Sequence, residues 1–318
     1  MSSLGYEIVD VFTDRPFTGN PLAVVFGADA LAVDQMQAVA REFNLSETVF
    51  VLPPGTPDAS YRVRIFTPEK ELPFAGHPSV GAAVTAGRRG LVRAGTVIQQ
   101  CGAGLLPVEL TEHGYATLRG GEPTLGAPVD PAPLLAAVGL TAQDHTGPAP
   151  RRAGCGLEFD YLCVRPDALP RARLDPAAAA RGGVGMVSVL TWAAAGSTAG
   201  SPAGSTAGSP AGPAPGFPAG EPEQPTAHCR VFCPGAGVTE DPATGSAALG
   251  LGVWAVGSGL LPANGQSRYL VRQGVELGRP STLDCTVTAL GGRARSATVA
   301  GQVVPVASGQ IAVPPFVG

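Results

Sequence analysis

His77 stands between Gly76 and Pro78 in the stretch PFAGHPSVGAA, and it is one of four histidines in the chain. Proline is favoured in the first turn of a helix, and the small residues that follow suit a tightly packed helix, so we predict that a helix starts here. Backbone N–H groups and the positive end of the dipole at a helix N-terminus stabilise an anion or a developing oxyanion. The imidazole would then stand beside an anion site, although a histidine at this position can also simply cap its helix.

The surroundings of His77 occur twice in the chain. RIFTPEKELPFAGHPSVG, at 64–81, aligns with RVFCPGAGVTEDPATGSAALG, at 230–250, and from Glu71 and Glu240 onward the offset is a constant 169. His77 and Ser246 hold equivalent positions in this alignment. The repeat indicates two related halves that each start a helix at the same point. Because pockets form preferentially between domains, we predict that a ligand binds between the halves.

Two carboxylates extend this set. Asp241 lies in TEDPATGSA, within the second copy, and Glu47 lies in NLSETVF, where a helix stop gives way to a strand. A carboxylate at such a junction is usually just solvated. Gathered near two helix N-termini, these carboxylates, His77 and Ser246 would instead serve general acid/base catalysis, provided that burial moves their pKa values toward the working pH.

Other catalytic motifs are incomplete in this sequence. HPSVG, at 77–81, differs from the nucleophile elbow G-x-S-x-G by a histidine where the strained turn needs a glycine. GVTEDPATGS lacks the lysine of a phosphate-binding loop, and no G-x-G-x-x-G follows a strand and opens a helix. Nucleotide binding is therefore not predicted.

Five segments, in order, resemble a known family: GNPLAVV, NLSETVF, PFAGHPSVGAA, PGAGVTEDPATGSAA and GRPS. They are similar to the PhzF-like (phenazine-biosynthesis type) isomerases, which share the two-domain fold of diaminopimelate epimerase. The resemblance runs from about Gly5 to the C-terminus, apart from a low-complexity insertion. It implies an α/β fold of the α+β type with two pseudo-symmetric halves, each a mostly antiparallel barrel-like sheet around a central helix. The active site would lie in the cleft and use no cofactor.

The same resemblance implies roles for individual residues. Four residues match catalytic positions of the family, with the acid/base first and the supporting residues after it: Glu47, His77, Asp241 and Ser246. Three residues match substrate-binding positions: Asn20, Gly76 and Gly245. The two glycines would bind a substrate carboxylate through their backbone N–H groups. The related epimerases carry a cysteine in each half where this chain has His77 and Ser246, so a two-cysteine racemase is disfavoured.

We therefore predict a cofactor-independent isomerase that moves a proton within a small cyclic or unsaturated carboxylic acid, without a metal ion. Glu47 would act first as base and then as acid. The family's characterised reaction converts a dihydro-hydroxyanthranilic acid on the way to phenazines. Two alternatives stay open: a non-catalytic binding protein on the same fold, and a Ser/His/Asp hydrolase that uses Ser246. The family also implies a homodimer.

The elements that must position these residues are mainly strands. Strand patterns occur at 6–12, 22–27, 48–52, 61–66, 116–120, 160–165, 229–233 and 282–290. The clearest helix is 34–43, which starts with capping-box spacing between Asp34 and Gln37 and stops at Asn44. We place the first half at 1–120, with 309–318 returning to it, and the second half at 121–308.

One segment of the second half carries no hydrophobic pattern. The octapeptide STAGSPAG occurs twice, at 197–204 and 205–212, inside an insertion at about 195–227 that is rich in Gly, Ser, Pro and Ala. Such a composition cannot bury a core, and a domain tolerates it because loop-closure entropy grows slowly with length. A role as an interaction tether is the alternative.

Composition sets the outer limits. The chain has 318 residues, is 44% hydrophobic and carries a net charge of −4, which suits a globular protein that binds a small molecule rather than nucleic acid. We expect a cytoplasmic protein, because the sequence shows neither a secretory leader nor a membrane-spanning segment. The six cysteines are scattered, so no disulfide framework is predicted. Cys229 and Cys233 have metal-like spacing but lack a second pair of ligands.

Overall fold

Strands dominate the computed structural model, which describes residues 2–195, 224–234 and 239–315. The first part of the chain forms β1 (Ser3–Val11), β2 (Asn20–Phe26), α1 (Val33–Phe43), β3 (Glu47–Leu52), β4 (Tyr61–Phe66), β5 (Glu71–Leu72), α2 (Gly76–Arg88), β6 (Gly95–Cys101), β7 (Gly104–Leu110) and β8 (Tyr115–Arg119). The second part forms β9 (Pro123–Pro128), α3 (Pro131–Ala137), β10 (Arg151–Cys155), β11 (Glu158–Cys163), α4 (Pro176–Gly182), β12 (Val187–Ala193), β13 (Thr226–Phe232), β14 (Glu240–Asp241), α5 (Gly245–Gly257), β15 (Gly265–Gln273), β16 (Ser281–Leu290) and β17 (Arg293–Ala312).

The order of strand pairing is the same in the two halves. In the first half β2 pairs in parallel with β3, β3 antiparallel with β4, β4 in parallel with β6, and β6 antiparallel with β7. In the second half the pairs β11–β12, β12–β13, β13–β15 and β15–β16 alternate in the same way. The remaining pairs are antiparallel, so the predicted architecture of two similar, mostly antiparallel halves is confirmed.

Each half surrounds one helix that is buried on every side. In α2 the residues from Gly76 to Ala86 are buried, and in α5 those from Gly245 to Val256 are buried. A helix whose side chains are small or apolar on every face belongs in a core rather than at a surface. Both helices have 13 residues, and their ends follow the offset of the sequence repeat.

Glycine allows two tyrosines to pack against α5. A β-carbon at Gly252 would lie 2.9 Å from Cζ of Tyr269, whose hydroxyl donates to the carbonyl of Ala248 at 2.7 Å. Tyr161 donates in the same way to the carbonyl of Ala247 at 2.7 Å. These bonds hold α5 against β11 and β15, and only a glycine leaves room for the ring of Tyr269.

The long strand β17 connects the halves. Its first part, up to Ala300, pairs with β16, and Val303–Ala312 pairs with β1 in the first half. Thr298–Gln302 also pairs with β8, and β9, which follows β8, pairs with β10. The sequence predicted the return to the first half at 309–318, whereas the pairing with β1 begins at Val303. The division of the chain at residue 120 stays a prediction.

The predicted elements occur, with shifts at their ends. The strand predicted at 6–12 is the later part of β1, that at 229–233 overlaps β13, and that at 61–66 has the bounds of β4. The helix predicted at 34–43 is α1, and its C-cap Asn44 has the left-handed φ of 51° that ends a helix.

The predicted capping box of α1 is wrong. The helix begins one residue earlier, with Ala32 as its N-cap, and the backbone N–H of Ala32 donates to Oε1 of Gln35 at 3.0 Å. Gln37, which the prediction placed in the box, instead donates from Nε2 to the carbonyl of Thr67 at 2.8 Å. The start of the helix is therefore held by Gln35, and Gln37 ties the helix to the end of β4.

The predicted insertion lies mainly outside the described residues, at 196–223. Its flanks are neighbours, because Ala193 at the end of β12 pairs with Thr226 at the start of β13. All six cysteines are unpaired, and burial raises the pKa of Cys229 and of Cys233 to about 12. Within the described ranges, no helix has the length and apolar character needed to cross a membrane.

Candidate active site

Glu47 is the first residue of β3, just after the chain leaves α1. The left-handed backbone of Asn44 turns the chain from the helix toward the sheet. β3 lies between β2 and β4, and Glu47 is paired with Leu22 of β2. The Glu47 side chain is only 17% exposed. The carboxyl is therefore largely buried rather than in solvent.

His77 lies in the first turn of α2 and faces Glu47. Its Nε2 atom is 3.6 Å from Oε2 of Glu47, and among the described residues neither atom has a hydrogen-bond partner. Burial lowers the pKa of His77 to about 3. The ring is therefore neutral at neutral pH, and the contact is between a neutral imidazole and a carboxyl group.

Asp241 reaches the same place from β14 in the second half. Its Oδ1 accepts a hydrogen bond from Nδ2 of Asn20 at 2.9 Å, and its Oδ2 accepts one from Oγ1 of Thr244 at 2.6 Å. Nδ2 of Asn20 is also 3.3 Å from Nδ1 of His77. Four predicted site residues thus form one cluster that spans the two halves: Asn20, Glu47, His77 and Asp241.

Burial raises the pKa of both carboxyl groups, and the charge of Asp241 raises that of Glu47 further. Burial, and then the negative charge of Asp241, raise the pKa of Glu47 to about 8. Burial raises the pKa of Asp241 to about 6, although hydrogen bonds from Thr244 and Asn20 oppose this rise. Burial of both carboxyl groups therefore favours a state in which the pair keeps one proton at neutral pH.

The N-termini of α2 and α5 meet beside this cluster. A β-carbon at Gly76 would lie 3.3 Å from the backbone nitrogen of Ser246 and 3.4 Å from Cα of Gly245. Within the described part of the chain, neither helix has a side-chain cap. The first N–H groups of a helix have no acceptor inside the helix, so Gly76 and Gly245 place two sets of such donors together.

Ser246 occupies the first turn of α5 and is 8% exposed. A Ser/His/Asp relay needs a hydrogen bond from the serine hydroxyl to the imidazole. The two ring nitrogens of His77 instead face Asn20 and Glu47, and Nε2 makes no hydrogen bond within the described residues. The arrangement does not favour the hydrolase alternative.

An ion pair in each half holds the loop that precedes the central helix. Arg64 donates to Glu71 from Nε at 2.7 Å and from Nη2 at 2.6 Å. Arg230 donates to Glu240 in the same two-pronged way, at 2.8 and 2.7 Å. The sequence repeat contained these residues but indicated no role for them. The structure shows that each pair ties the strand before the loop to the short strand after it.

Two residues of the cluster were not identified from the sequence. Gln273, at the end of β15, donates from Nε2 to the Asp241 carbonyl at 2.7 Å and to Oγ1 of Thr244 at 2.9 Å. Thr244 precedes α5 within the repeat, so its position was a usable signal. Gln273 lies outside every motif, and only the pairing of β15 with β13 brings it to the site.

The chemistry available here is proton transfer. The cluster offers two buried carboxyl groups with raised pKa values, a neutral imidazole and two helix N-termini. Among the residues that the structure describes, no group of three or more His, Cys, Asp or Glu side chains is arranged to hold a metal ion.

Comparison with known proteins identifies isomerases among the relatives of this chain. The chain is 35% identical over 321 residues to an uncharacterized isomerase of Mesorhizobium japonicum, a match that covers 98% of this chain and 99% of the relative. It is 33% identical over 317 residues to trans-2,3-dihydro-3-hydroxyanthranilate isomerase of Pseudomonas aeruginosa, with 96% and 98% covered. The solved structure of a predicted epimerase from Pseudomonas aeruginosa matches with a TM-score of 0.73 and 32% identity, over 98% and 99% of the two chains.

Two related halves with buried central helices form an epimerase-like fold, and the relatives named as isomerases show that the chain is an isomerase. The family model described as phenazine biosynthesis-like protein, PhzC-PhzF, matches residues 9–123 and 197–309. The chain belongs to this family, and the resemblance seen in its sequence motifs is confirmed.

Proposed function

We propose that this isomerase moves a proton between two carbons of a small cyclic or unsaturated carboxylic acid, with Glu47 as its acid/base and without a cofactor. The observation that supports this most directly is the position of the Glu47 carboxyl, which lies 3.6 Å from Nε2 of His77 and is buried, so that its pKa is raised to about 8, near a neutral working pH. Such a match favours both removal and return of a proton. Ionised Glu47 takes a proton from an activated carbon, and the neutral carboxyl then delivers it to the second carbon.

The other predicted residues orient the substrate and tune Glu47. The backbone N–H groups at Gly76 and Gly245 bind the substrate carboxylate, because two helix N-termini favour an anion. Ser246 lies beside them and contributes a hydroxyl. Asp241 raises the pKa of Glu47 by its charge, and His77 faces the carboxyl that carries the proton.

The substrate class follows from the anion site and from one relative. The Pseudomonas aeruginosa relative is named trans-2,3-dihydro-3-hydroxyanthranilate isomerase. That compound is a cyclic, unsaturated carboxylic acid, so we propose an acid of this class as the substrate. The predicted homodimer and cytoplasmic location stay predictions.

Glu47→Gln tests the proposal, because the amide keeps the shape of the side chain and cannot take a proton. With trans-2,3-dihydro-3-hydroxyanthranilate or another acid selected by thermal shift, we expect nearly normal binding and a loss of turnover of at least about 10²-fold. In heavy water the wild-type enzyme should place deuterium at the newly protonated carbon. Glu42→Gln, on the exposed face of α1, is the matched control and should keep full activity.

Two results would contradict the proposal. The first is a folded Glu47→Gln protein that retains wild-type turnover on the same substrate. The second is a product free of solvent deuterium together with a covalent intermediate on Ser246, which would restore the hydrolase alternative.

A further inference from the structure

The side-chain amide of Asn20 is completely buried and has only one possible orientation. Its Nδ2 atom lies 2.9 Å from Oδ1 of Asp241 and 2.9 Å from the carbonyl oxygen of Ala243. Both are acceptors, so the amide oxygen cannot take that place without facing two other oxygens. Oδ1 of Asn20 has no hydrogen-bond partner among the described residues. The orientation of the amide is therefore set by the two contacts of Nδ2.

This orientation determines what His77 meets. Nδ1 of His77 is 3.3 Å from the same Nδ2 atom, which is a donor only and shares its two hydrogens among Asp241, Ala243 and Nδ1. A proton on Nδ1 would therefore point at a donor. A neutral imidazole carries a single N–H, and it must then be on Nε2, the atom that faces Oε2 of Glu47 at 3.6 Å.

We propose that Asn20 is a positioning residue that fixes His77 as the Nε2–H tautomer, so that the ring always presents an N–H group to Glu47. The contacts come from both halves, since Asp241 and Ala243 belong to the second and His77 to the first. The part that His77 plays in catalysis rests on the proposed function, whereas the assignment of its tautomer does not.

The fixed tautomer has a consequence for the path of the proton. An Nε2–H group cannot accept a second proton from Glu47, because the other ring nitrogen faces the Asn20 donor and burial disfavours the charged ring. Glu47 therefore does not pass the proton that it removes to His77. His77 instead donates toward the ionised carboxylate and orients it.

Nitrogen-15 NMR of histidine-labelled protein tests the tautomer directly, and it needs neither substrate nor turnover. The chain has four histidines, so four ring patterns are expected, and the pattern that disappears in His77→Gln belongs to His77. In a long-range proton–nitrogen spectrum near neutral pH, the nitrogen coupled to both ring hydrogens identifies Nε2. We expect this nitrogen to have the protonated type of shift and Nδ1 the unprotonated type.

Asn20→Ala removes the donor that faces Nδ1. The share of the Nδ1–H form of His77 should then rise by about two- to tenfold, because the shared Asn20 donor no longer faces Nδ1. Thr48→Val is the control, because Thr48 is a fully buried neighbour of Glu47 whose hydroxyl has no partner among the described residues. It should leave the His77 pattern unchanged.

The outcomes separate the two proposals. A wild-type His77 with its proton on Nδ1 would overturn the role of Asn20 whatever the enzyme catalyses, and this measurement does not depend on whether the alanine variant folds. A folded Asn20→Ala protein with an unchanged single tautomer would overturn it too. Loss of the proposed function, shown by full activity of Glu47→Gln, would leave both spectra as expected.

Discussion

At the scale of single residues, the charge of Asp241 and burial act on the pKa of Glu47. The titration of Glu47 should be visible in the pH dependence of the reaction rate. Glu47 must be ionised to remove a proton, and burial together with Asp241 raises its pKa to about 8. We expect kcat/KM of the free enzyme to rise about tenfold per pH unit up to about pH 8 and then to level.

Asp241→Asn removes the neighbouring charge but keeps the shape of the side chain. The pKa of Glu47 should fall, so the rising limb of kcat/KM should move to lower pH, even if the maximum rate is reduced. Asp58→Asn makes the same change of charge on an exposed loop and should leave the limb in place. A limb that stays at the wild-type pH in Asp241→Asn would contradict the coupling of the two carboxyl groups.

The raised pKa of Glu47 also has a cost in stability. The unfolded chain releases this proton near the ordinary pKa of 4.5, whereas the native state keeps it up to about pH 8. The unfolded state therefore binds fewer protons between these values, and the free energy of unfolding falls as the pH rises through them. Glu47→Gln removes that loss, so it should be more stable than the wild type at about pH 8.5.

The gain should be at least about 1 kcal/mol, since one pKa unit corresponds to about 1.4 kcal/mol. In a protein of this size that is a rise of about 2–4 °C in melting temperature. Near pH 4 the two proteins should melt together, because Glu47 is then protonated in both states. Equal melting temperatures at both pH values would show that Glu47 is not a strained buried acid.

The sequence motifs led to Glu47, His77 and Asp241, but not to the way they act on one another. Motif spacing places His77 at a helix N-terminus and Glu47 at the start of a strand. It cannot show that Asn20 contacts Asp241, a residue 221 positions away, because that contact depends on how the halves pack. The raised pKa of Glu47 also depends on how the halves pack, because it comes from burial and from Asp241. The sequence alone could therefore identify Glu47 as a base but could not show that its pKa is raised.

At the scale of the elements, the packing of α5 against its neighbouring strands depends on glycine. Gly252→Ala would place a β-carbon 2.9 Å from Cζ of Tyr269, a ring that cannot move without losing its hydrogen bond to Ala248. We expect a loss of about 1–3 kcal/mol, the usual range for overpacking a core. Urea denaturation measures it.

Gly185→Ala serves as the comparison for this change. Gly185 is exposed, and a β-carbon there would meet nothing within 4 Å. The alanine should be neutral or stabilise the fold by up to about 1 kcal/mol through the unfolded chain. Equal effects of the two substitutions would show that the packing of Tyr269 on α5 does not limit stability.

Elements with strong local patterns were predicted, and those that depend on distant partners were not. β4 was predicted with its true bounds because Val, Ile, Tyr and Phe dominate it. β17 was not predicted, since its sequence, RARSATVAGQVVPVASGQIA, is rich in Gly, Ala and Ser. It becomes a strand because β16, β8 and β1 all pair with it, which is tertiary information.

At the scale of the whole molecule, the insertion at 196–223 should be dispensable. Ala193 and Thr226 are paired, so deletion of 196–223 leaves a hairpin connection of Ala194, Ala195, Gln224 and Pro225. Connections of two to five residues are common in hairpins. We expect turnover within about twofold of the wild type and a melting temperature changed by less than about 2 °C.

The contrasting deletion is much shorter. Removal of 303–312 takes away the strand that pairs with β1 over its whole length, so we expect insoluble or unfolded protein. A loss of about 5 °C or more after deletion of 196–223 would instead show that the insertion contributes contacts to the fold.

The route of β17 has a consequence for the protein as it is made. β1 is translated long before its partner, Val303–Ala312. At about 5–20 residues per second, the outer edge of β1 waits on the order of 15–60 s with its N–H and C=O groups unpaired. The first half therefore cannot complete its sheet until Val303–Ala312 has been made. A neighbouring nascent chain on the same messenger offers the same strand, so exchange of 303–312 between chains is the misassembly that this topology invites.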